Sequence, residues 1–173
     1  MLRLLMIAND ITAPQVVLTD RELTCINALD KVFPETPSMI FRWHMNKIVE
    51  SMARKQLGQV EVNNPAPGQP KMENSWQTNS FMATFSQAVD AESEEEFETK
   101  RRELAVKSKT VSDYLDLRWS KYKSRIMKHW INKYRHYGIR DTSTVEGTHA
   151  KIKVKLKSSC GDLYTVFIKL QSW

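Results

Sequence analysis

A short apolar run that ends in a carboxylate constrains the fold of this chain more than any other feature. Val16, Val17 and Leu18 are typical of a buried strand, and Thr19 and Asp20 follow directly. An amphipathic helical pattern comes next. An acid at the carboxyl end of a buried strand lies where open α/β sheets place their chemistry. The segment therefore predicts an α/β layer with Asp20 at its functional edge.

The alternation of helix and strand continues through residues 1–62. Apolar residues three and four positions apart indicate helices, and Pro34 and Pro37 end the second of them. The predicted elements are a helix ending near Ile7, a strand over 15–18, a helix over 21–33, a strand over 38–43 and a helix over 46–57. Alternation of this kind predicts a parallel β layer with helices.

Residues 63–138 have a different character. The segment 62–70 contains three prolines and a glycine, a composition typical of a linker, and the pattern beyond it is helical. Ser93 and Glu96 have the spacing of a capping box at the start of one helix. We predict a linker followed by an all-helical insertion. Its core is expected to include Trp76, Trp119 and Trp130.

Residues 139–173 are predicted to return to the first layer as C-terminal helices. Lysines alternate with apolar residues over 151–157, which taken alone indicates a strand. The apolar residues around this segment also lie at helical spacing, and Gly161 suits the position just after a helix. We therefore predict helix. The expected organisation is 1–62 as the first part of a core, 63–138 as linker and insertion, and 139–173 as the return.

Positive charge is concentrated in one part of the chain. Residues 108–157 contain 13 Lys and Arg against 4 Asp and Glu, whereas residues 1–107 contain 12 against 15. A basic block can bind the phosphate backbone of DNA, although a lone basic stretch is more often a solvated helical surface. The residues predicted to contact DNA are Arg118, Lys121, Lys123, Arg125, Lys128, Lys133, Lys151 and Lys155.

Neither a membrane nor an oxidising compartment is expected. No apolar run approaches the roughly 18 residues that a bilayer requires, and the apolar segment 1–8 lacks the basic leader of a signal peptide. Cys25 and Cys160 lie far apart and give neither a disulfide framework nor a zinc signature. A reducing location, cytoplasmic or nuclear, is therefore predicted.

Two acids are candidate metal ligands, Asp20 and Glu146. Each also suits a helix start, since Thr19 and Glu22 have capping-box spacing around Asp20 and Glu146 lies in a predicted first turn. Carboxylates from separate elements converge readily on Mg²⁺. Nuclease and strand-transfer sites hold two such ions and need three or more acidic groups. Two acids alone predict weak metal binding.

The order and spacing of these segments resemble the catalytic domain of Mutator-like element transposases over essentially the whole chain. The motifs that carry the resemblance are Val17-Leu18-Thr19-Asp20-Arg21-Glu22-Leu23, then Arg42-Trp43-His44 with Asn46, then Ser143-x-x-Glu146-Gly147-x-His149 through Ser158-x-x-Gly161-Asp162-Leu163. The resemblance implies an α/β fold, a partial ribonuclease H-like layer interrupted by an all-α insertion. It also implies a DNA partner and a nuclear location.

The resemblance assigns roles to three residues. Asp20 corresponds to the second aspartate and Glu146 to the glutamate of an Asp-Asp-Glu triad that holds Mg²⁺ or Mn²⁺. His44 is either a hydrogen-bonding group at the site edge or a packed histidine. Phe41 stands where the family usually has a cysteine. The family's first aspartate lies upstream of the helix that ends near Asn9, so we expect an N-terminally truncated domain.

The expected function follows from this resemblance. We expect a fragment of a transposase catalytic domain, which in the intact family performs metal-dependent phosphodiester cleavage and strand transfer. Little or no catalysis is expected from the fragment itself. The alternative is a non-catalytic DNA-binding or protein-interaction module built from transposase parts.

Overall fold

The computed structural model describes residues 2–138 and Val154. The helices and strands belong to one compact unit, Met1–Tyr137. In chain order they are α1 (Leu2–Ala8), β1 (Val17–Thr19), α2 (Leu23–Val32), β2 (Ser38–Ile40), α3 (Arg42–Leu57), β3 (Gln59–Glu61), β4 (Met72–Asn74), α4 (Trp76–Val89), α5 (Glu94–Lys107), α6 (Lys109–Trp119), a 3₁₀ turn (Ser120–Tyr122), α7 (Lys123–Ile126) and α8 (Lys128–Ile131). The predicted C-terminal helices of 139–173 lie outside the described residues.

The first two strands form a parallel pair with α2 between them in sequence. Val17 pairs with Ser38, and Thr19 pairs with Ile40. Ile26 of α2 is buried, as are two of the three residues of β2. The mixed α/β class predicted from the sequence is therefore confirmed, and the parallel arrangement holds for these two strands.

The second strand is shorter than the sequence suggested. Its predicted span of 38–43 ends at Ile40, and α3 begins at Arg42. The Phe41 amide donates to the Thr19 carbonyl at 3.0 Å, which extends the bonding between the strands by one step. Phe41 then turns the chain into α3, so Arg42, Trp43 and His44 are helical.

Helix α3 joins the α/β part to the helices that follow. Met45, Val49 and Ala53 are fully buried at successive helical turns. They belong to one apolar cluster with Phe81 and Phe85 of α4 and with buried residues of α5 and α6. Ile48 lies on a different side of this helix and is 36% exposed. Helices α2 to α7 thus share one core with β2.

The proline-containing segment 62–70 forms most of the loop of an antiparallel hairpin. β3 pairs with β4 from Gln59 opposite Asn74 to Glu61 opposite Met72. The hairpin returns the chain to the end of α3, where the Ser75 hydroxyl donates to the Leu57 carbonyl at 2.8 Å. The same hydroxyl accepts from the backbone amide of Thr78 at 3.1 Å and so caps α4.

The predicted capping box is confirmed at the start of α5. The Glu96 amide donates to the Ser93 hydroxyl at 3.1 Å, and the Glu96 carboxylate accepts from the Glu92 amide at 2.8 Å. The helical stretch after α6 is broken rather than continuous, because Met127 is extended. Among the described residues, no helix combines the length and apolar character that crossing a bilayer requires.

The three tryptophans predicted to lie in the core differ in burial. Trp119 is 2% exposed, and Trp130 packs against the core from its edge. Trp76 is 77% exposed, so its prediction was wrong. It is the first residue of α4, directly after the Ser75 cap, and the buried face of that helix begins two residues later at Thr78.

Candidate functional site

Asp20 and His44 meet at the carboxyl edge of the parallel strands. His44 Nε2 lies 2.8 Å from Asp20 Oδ1. Because Thr19 is in register with Ile40, the residues that follow β1 and β2 leave the two strands side by side. The immediate start of α3 then places His44 in its first turn, within reach of the carboxylate. Two of the residues predicted for the catalytic site are therefore neighbours.

The start of α3, the helix that carries His44, is the end of a helix that favours a negative charge. The first-turn amides of a helix lack intrahelical acceptors, and the helix dipole is positive at that end. Phe41 occupies the N-cap position of α3 and supplies no side-chain hydrogen bond to those amides. Through its contact with His44, the Asp20 carboxylate lies beside this helix start.

The capping-box alternative for Asp20 does not match the geometry. Glu22 is the N-cap of α2 and accepts from the Cys25 amide at 3.1 Å. Thr19, the predicted cap, instead has its hydroxyl 3.4 Å from the Cys25 sulfur. Asp20 precedes the cap by two residues. Its observed side-chain partner is His44, and that contact is unrelated to capping α2.

The dyad is open to solvent on one side. The side chain of Asp20 is 56% exposed and that of His44 is 34% exposed, so a ligand can reach both. His44 thus makes a hydrogen bond at a partly exposed edge and also packs against aromatic rings. The Trp43 ring meets the His44 ring edge-on, with centroids 4.8 Å apart, and Lys47 Nζ lies 5.6 Å from the Trp43 ring.

A paired arginine supports the start of α3. The Arg42 guanidinium donates two hydrogen bonds of 2.8 Å to the Asp90 carboxylate at the end of α4. Bidentate arginine–carboxylate pairs fix orientation as well as distance. Sequence reasoning missed this contact, although Arg42 lies only two residues before His44. It holds the helix start that carries His44 against the helical part of the molecule.

The described residues supply only part of a metal site. No group of three or more His, Cys, Asp and Glu side chains suited to an ion occurs within residues 2–138. The Asp20 carboxylate is an oxygen donor of the type that Mg²⁺ and Mn²⁺ prefer. Glu146, the second predicted ligand, lies outside the described residues, as do Lys151 and Lys155. Their roles stay predictions.

Three of the predicted DNA-contacting residues form ion pairs within the chain. Lys123 lies 2.9 Å from Glu94, Arg125 lies 2.9 Å from Asp30, and Lys128 pairs with Glu92. The hydrogen bond from Lys123, and then its charge, lower the pKa of Glu94 below the ordinary carboxyl value. A DNA phosphate would have to compete with these carboxylates.

The other three described cations are differently placed. Arg118, Lys121 and Lys133 are exposed, and none has a carboxylate of residues 2–138 within ion-pair distance. Lys121 Nζ lies 4.9 Å from the Tyr122 ring. These three side chains can therefore meet an external phosphate without first breaking an ion pair to this part of the chain.

Comparison of the chain with models of protein families, with curated proteins and with solved structures finds no match. The candidate site is therefore interpreted from its own residues and geometry.

Proposed function

We propose that this chain is part of the catalytic domain of a Mutator-like DNA transposase with a partial ribonuclease H-like fold. The observation that supports the proposal best is the contact of Asp20 with His44 at the carboxyl edge of two parallel strands. Two residues that the family resemblance assigns to one site meet across 24 positions of sequence. Residues 63–138, which contain helices α4 to α8, correspond in this proposal to the linker and helical insertion of the family.

Each site residue has a distinct role in the proposal. Asp20 and Glu146 contribute carboxylate oxygens to Mg²⁺ or Mn²⁺, which would activate an attacking oxygen and stabilise the leaving one. His44 donates to Oδ1 of Asp20 and thereby fixes the carboxylate rotamer. Oδ2 of Asp20 is then available to the ion. A hydrogen-bonded carboxylate ligand of this kind is the usual outer-shell arrangement of metal sites.

The exposed cations provide the proposed contact with DNA. Arg118 lies in the last turn of α6 and Lys121 in the 3₁₀ turn that follows directly. Together with Lys133 they can neutralise backbone phosphates. Such contacts supply affinity without sequence preference and weaken steeply as salt rises.

Metal binding tests the catalytic part of the proposal. Mn²⁺ is titrated into the full chain, and free Mn²⁺ is followed by electron paramagnetic resonance. Asp20→Asn and Glu146→Gln are each expected to weaken binding at least ten-fold, because each removes one anionic ligand. Asp10→Asn is the matched control, since Asp10 occupies a turn after α1 and should bind as the parent does. Unchanged Mn²⁺ affinity in Asp20→Asn would overturn the proposal.

A non-catalytic DNA-binding module is the second candidate function. It is favoured by the exposure of Arg118, Lys121 and Lys133 together with the absence of a three-acid metal group within residues 2–138. Duplex DNA binding that needs no divalent ion and that persists in Asp20→Asn would support this candidate over the catalytic one. Absence of DNA binding at low salt would exclude both.

Charge-matched triple variants identify the DNA-binding cations. Replacement of Arg118, Lys121 and Lys133 by Gln is expected to lower the slope of log K against log salt by about 2–3, since each lost phosphate contact removes about 0.9. The control replaces three exposed cations elsewhere by Gln: Lys31, Lys55 and Lys71. Equal losses of slope in both triples would show that only net charge matters.

A further inference from the structure

We infer that Arg21 is a positioning residue, which fixes the segment after β1 to helix α6 and so holds the Asp20 carboxylate against His44. Arg21 directly follows Asp20 and precedes the cap of α2. That this positioning assists metal binding rests on the proposed function. The contact of Arg21 with α6 and its effect on Asp20 are independent of that function.

Two aromatic rings and one carbonyl hold the guanidinium. Its central carbon lies 4.4 Å from the centroid of the Trp119 ring and 5.6 Å from that of Tyr122. Both distances are within the range of cation–π attraction, and tryptophan is the strongest partner. Arg21 Nη2 also donates to the Arg118 carbonyl at 3.3 Å. That carbonyl belongs to the last turn of α6, where carbonyls lack intrahelical donors and the dipole attracts a cation.

The two aromatic rings that contact Arg21 are buried in the core. Trp119 is 2% exposed and Tyr122 is 6% exposed, and both belong to the common core. Side chains packed at interior density do not follow a mobile surface segment. A cation that rests on these rings is therefore tied to the core rather than to another surface group.

Arg21 is held without an acid partner among the described residues. Its Nε is buried and meets no hydrogen-bond acceptor in that part of the chain, and no carboxylate there lies within ion-pair distance. Arg21 therefore forms no ion pair with the neighbouring Asp20 carboxylate, which contacts His44 instead. Arg21 lies in a bend directly after Asp20. Fixing its side chain on α6 therefore limits the positions that the neighbouring Asp20 carboxylate can take and favours the one beside His44.

The Asp20–His44 contact cannot fix this segment by itself. Exposed charge pairs contribute little because water screens them and two side chains must be ordered, and Asp20 is 56% exposed. The register of β1 with β2 brings the segment near His44, and the contacts of Arg21 with two buried rings supply a further restraint on it. Removing them should release Asp20 while α3 and His44 stay in place.

The His44 ring reports this effect directly. The ¹⁵N shift of His44 Nε2 is measured in long-range ¹H–¹⁵N spectra at one fixed pH. Asp20→Asn defines the shift that marks loss of the contact. Arg21→Met keeps the length of the side chain without its charge, and we expect it to move the resonance at least half of the way to the Asp20→Asn position. Arg21→Lys retains a cation over the rings and should move it less.

Arg101→Met is the matched control. Arg101 is another arginine that contacts α6, through two hydrogen bonds to Asp116 of 2.7 and 2.9 Å, and it touches nothing in the Asp20 segment. The control should leave the His44 resonance at the parent position. A folded Arg21→Met protein whose His44 resonance coincides with that of the parent would overturn the inference. If Arg21→Met does not fold, Arg21→Lys and Tyr122→Leu take its place. The inference is then overturned if the His44 resonance of both variants coincides with that of the parent.

Metal titration separates this inference from the proposed function. If both are right, Arg21→Met weakens Mn²⁺ binding three- to ten-fold and leaves the salt slope of DNA binding unchanged. A shifted His44 resonance in a chain that binds no Mn²⁺ would overturn the proposed function and retain the positioning role. If the His44 resonance of Arg21→Met coincides with that of the parent while Mn²⁺ binding depends on Asp20, the positioning role is overturned and the proposed function is retained.

Discussion

Phe81 tests whether the parallel strands and the later helices depend on one core. Its side chain in α4 is fully buried, and it belongs to the same apolar cluster as Ile26 of α2 and Met45 of α3. Replacing Phe81 by Ala removes the aromatic ring and leaves a cavity in the cluster that these elements share. We therefore expect the substitution to destabilise the described residues as a single unit.

The size of the effect follows from the complete burial of the ring. Moving a phenylalanine side chain out of water contributes about 1.5–3 kcal/mol, and the residual cavity raises the cost of Phe→Ala to about 3–5 kcal/mol. Domains of this size unfold with about 5–15 kcal/mol. The Tm should fall by about 10–20 °C and the urea midpoint by about 2 M.

Urea unfolding followed by far-ultraviolet circular dichroism and by tryptophan fluorescence measures this loss. Phe81→Leu, which leaves a smaller cavity, should lose about 1–1.5 kcal/mol. Val106→Ala is the surface control, because Val106 is 89% exposed and such changes stay within about 0.5 kcal/mol. A loss below about 1 kcal/mol in Phe81→Ala, or circular dichroism and fluorescence transitions that do not coincide, would refute the single core.

Three further substitutions test local features, each by urea or thermal unfolding. Ser93→Ala removes the acceptor of the Glu96 amide and should cost about 1 kcal/mol; no loss would mean that the cap is not formed in solution. Gly58→Ala should cost about 1–3 kcal/mol, because Gly58 has φ 90 and ψ 172, a region that only glycine populates. An added Cβ there meets nothing within 4 Å, so the loss would measure backbone strain alone, and parent-like stability would contradict the backbone geometry. Glu94→Gln tests the lowered pKa of Glu94, whose contact with Lys123 stabilises the fold above the ordinary carboxyl value of 4.5 and is lost as the pH falls through the depressed folded value. The Tm difference between parent and Glu94→Gln should therefore shrink from pH 7 to pH 3, and a difference that is constant with pH would count against the contact.

The parallel strands and the position of Asp20 could be predicted because their signals are local. The apolar run before Asp20 and the prolines that end α2 are each visible within a few residues. The capping box of Ser93 is equally local, and the structure confirms it. The contact of Asp20 with His44 is different. It depends on the register of two strands, and only the family resemblance placed both residues at one site beforehand.

The boundary between β2 and α3 could not be read from local pattern. Phe41 and Trp43 have strand-favouring side chains, yet the helix starts between them. Part of the reason is long-range, since Arg42 pairs with Asp90, which lies 48 positions away. Trp76 was misplaced for the opposite reason, because helical spacing does not show that a first-turn residue lies beyond the buried face.

The charge pattern of the sequence shows where cations are concentrated, but it does not show which of them form ion pairs with acids of the same chain. Lys123 and Arg125 lie in the basic block, but their acids are 29 and 95 positions away, in α5 and α2. Counting charges along the chain cannot reveal such pairs. Only the structure distinguishes the exposed cations Arg118, Lys121 and Lys133 from the predicted DNA-contacting residues that form ion pairs.

The burial of α3 determines when the candidate site can form during protein synthesis. His44 is carried by a helix whose inner residues, Met45, Val49 and Ala53, are covered by elements that the ribosome makes later. When synthesis has reached only the end of α3, Ile26 and Ile40 are the only earlier members of the described core cluster that can cover that helix surface, so α3 and its histidine are weakly held. Arg21 must wait longer still, until Trp119 has emerged. The acid and the imidazole are thus held firmly against each other only after the helices up to Trp119 have been synthesised.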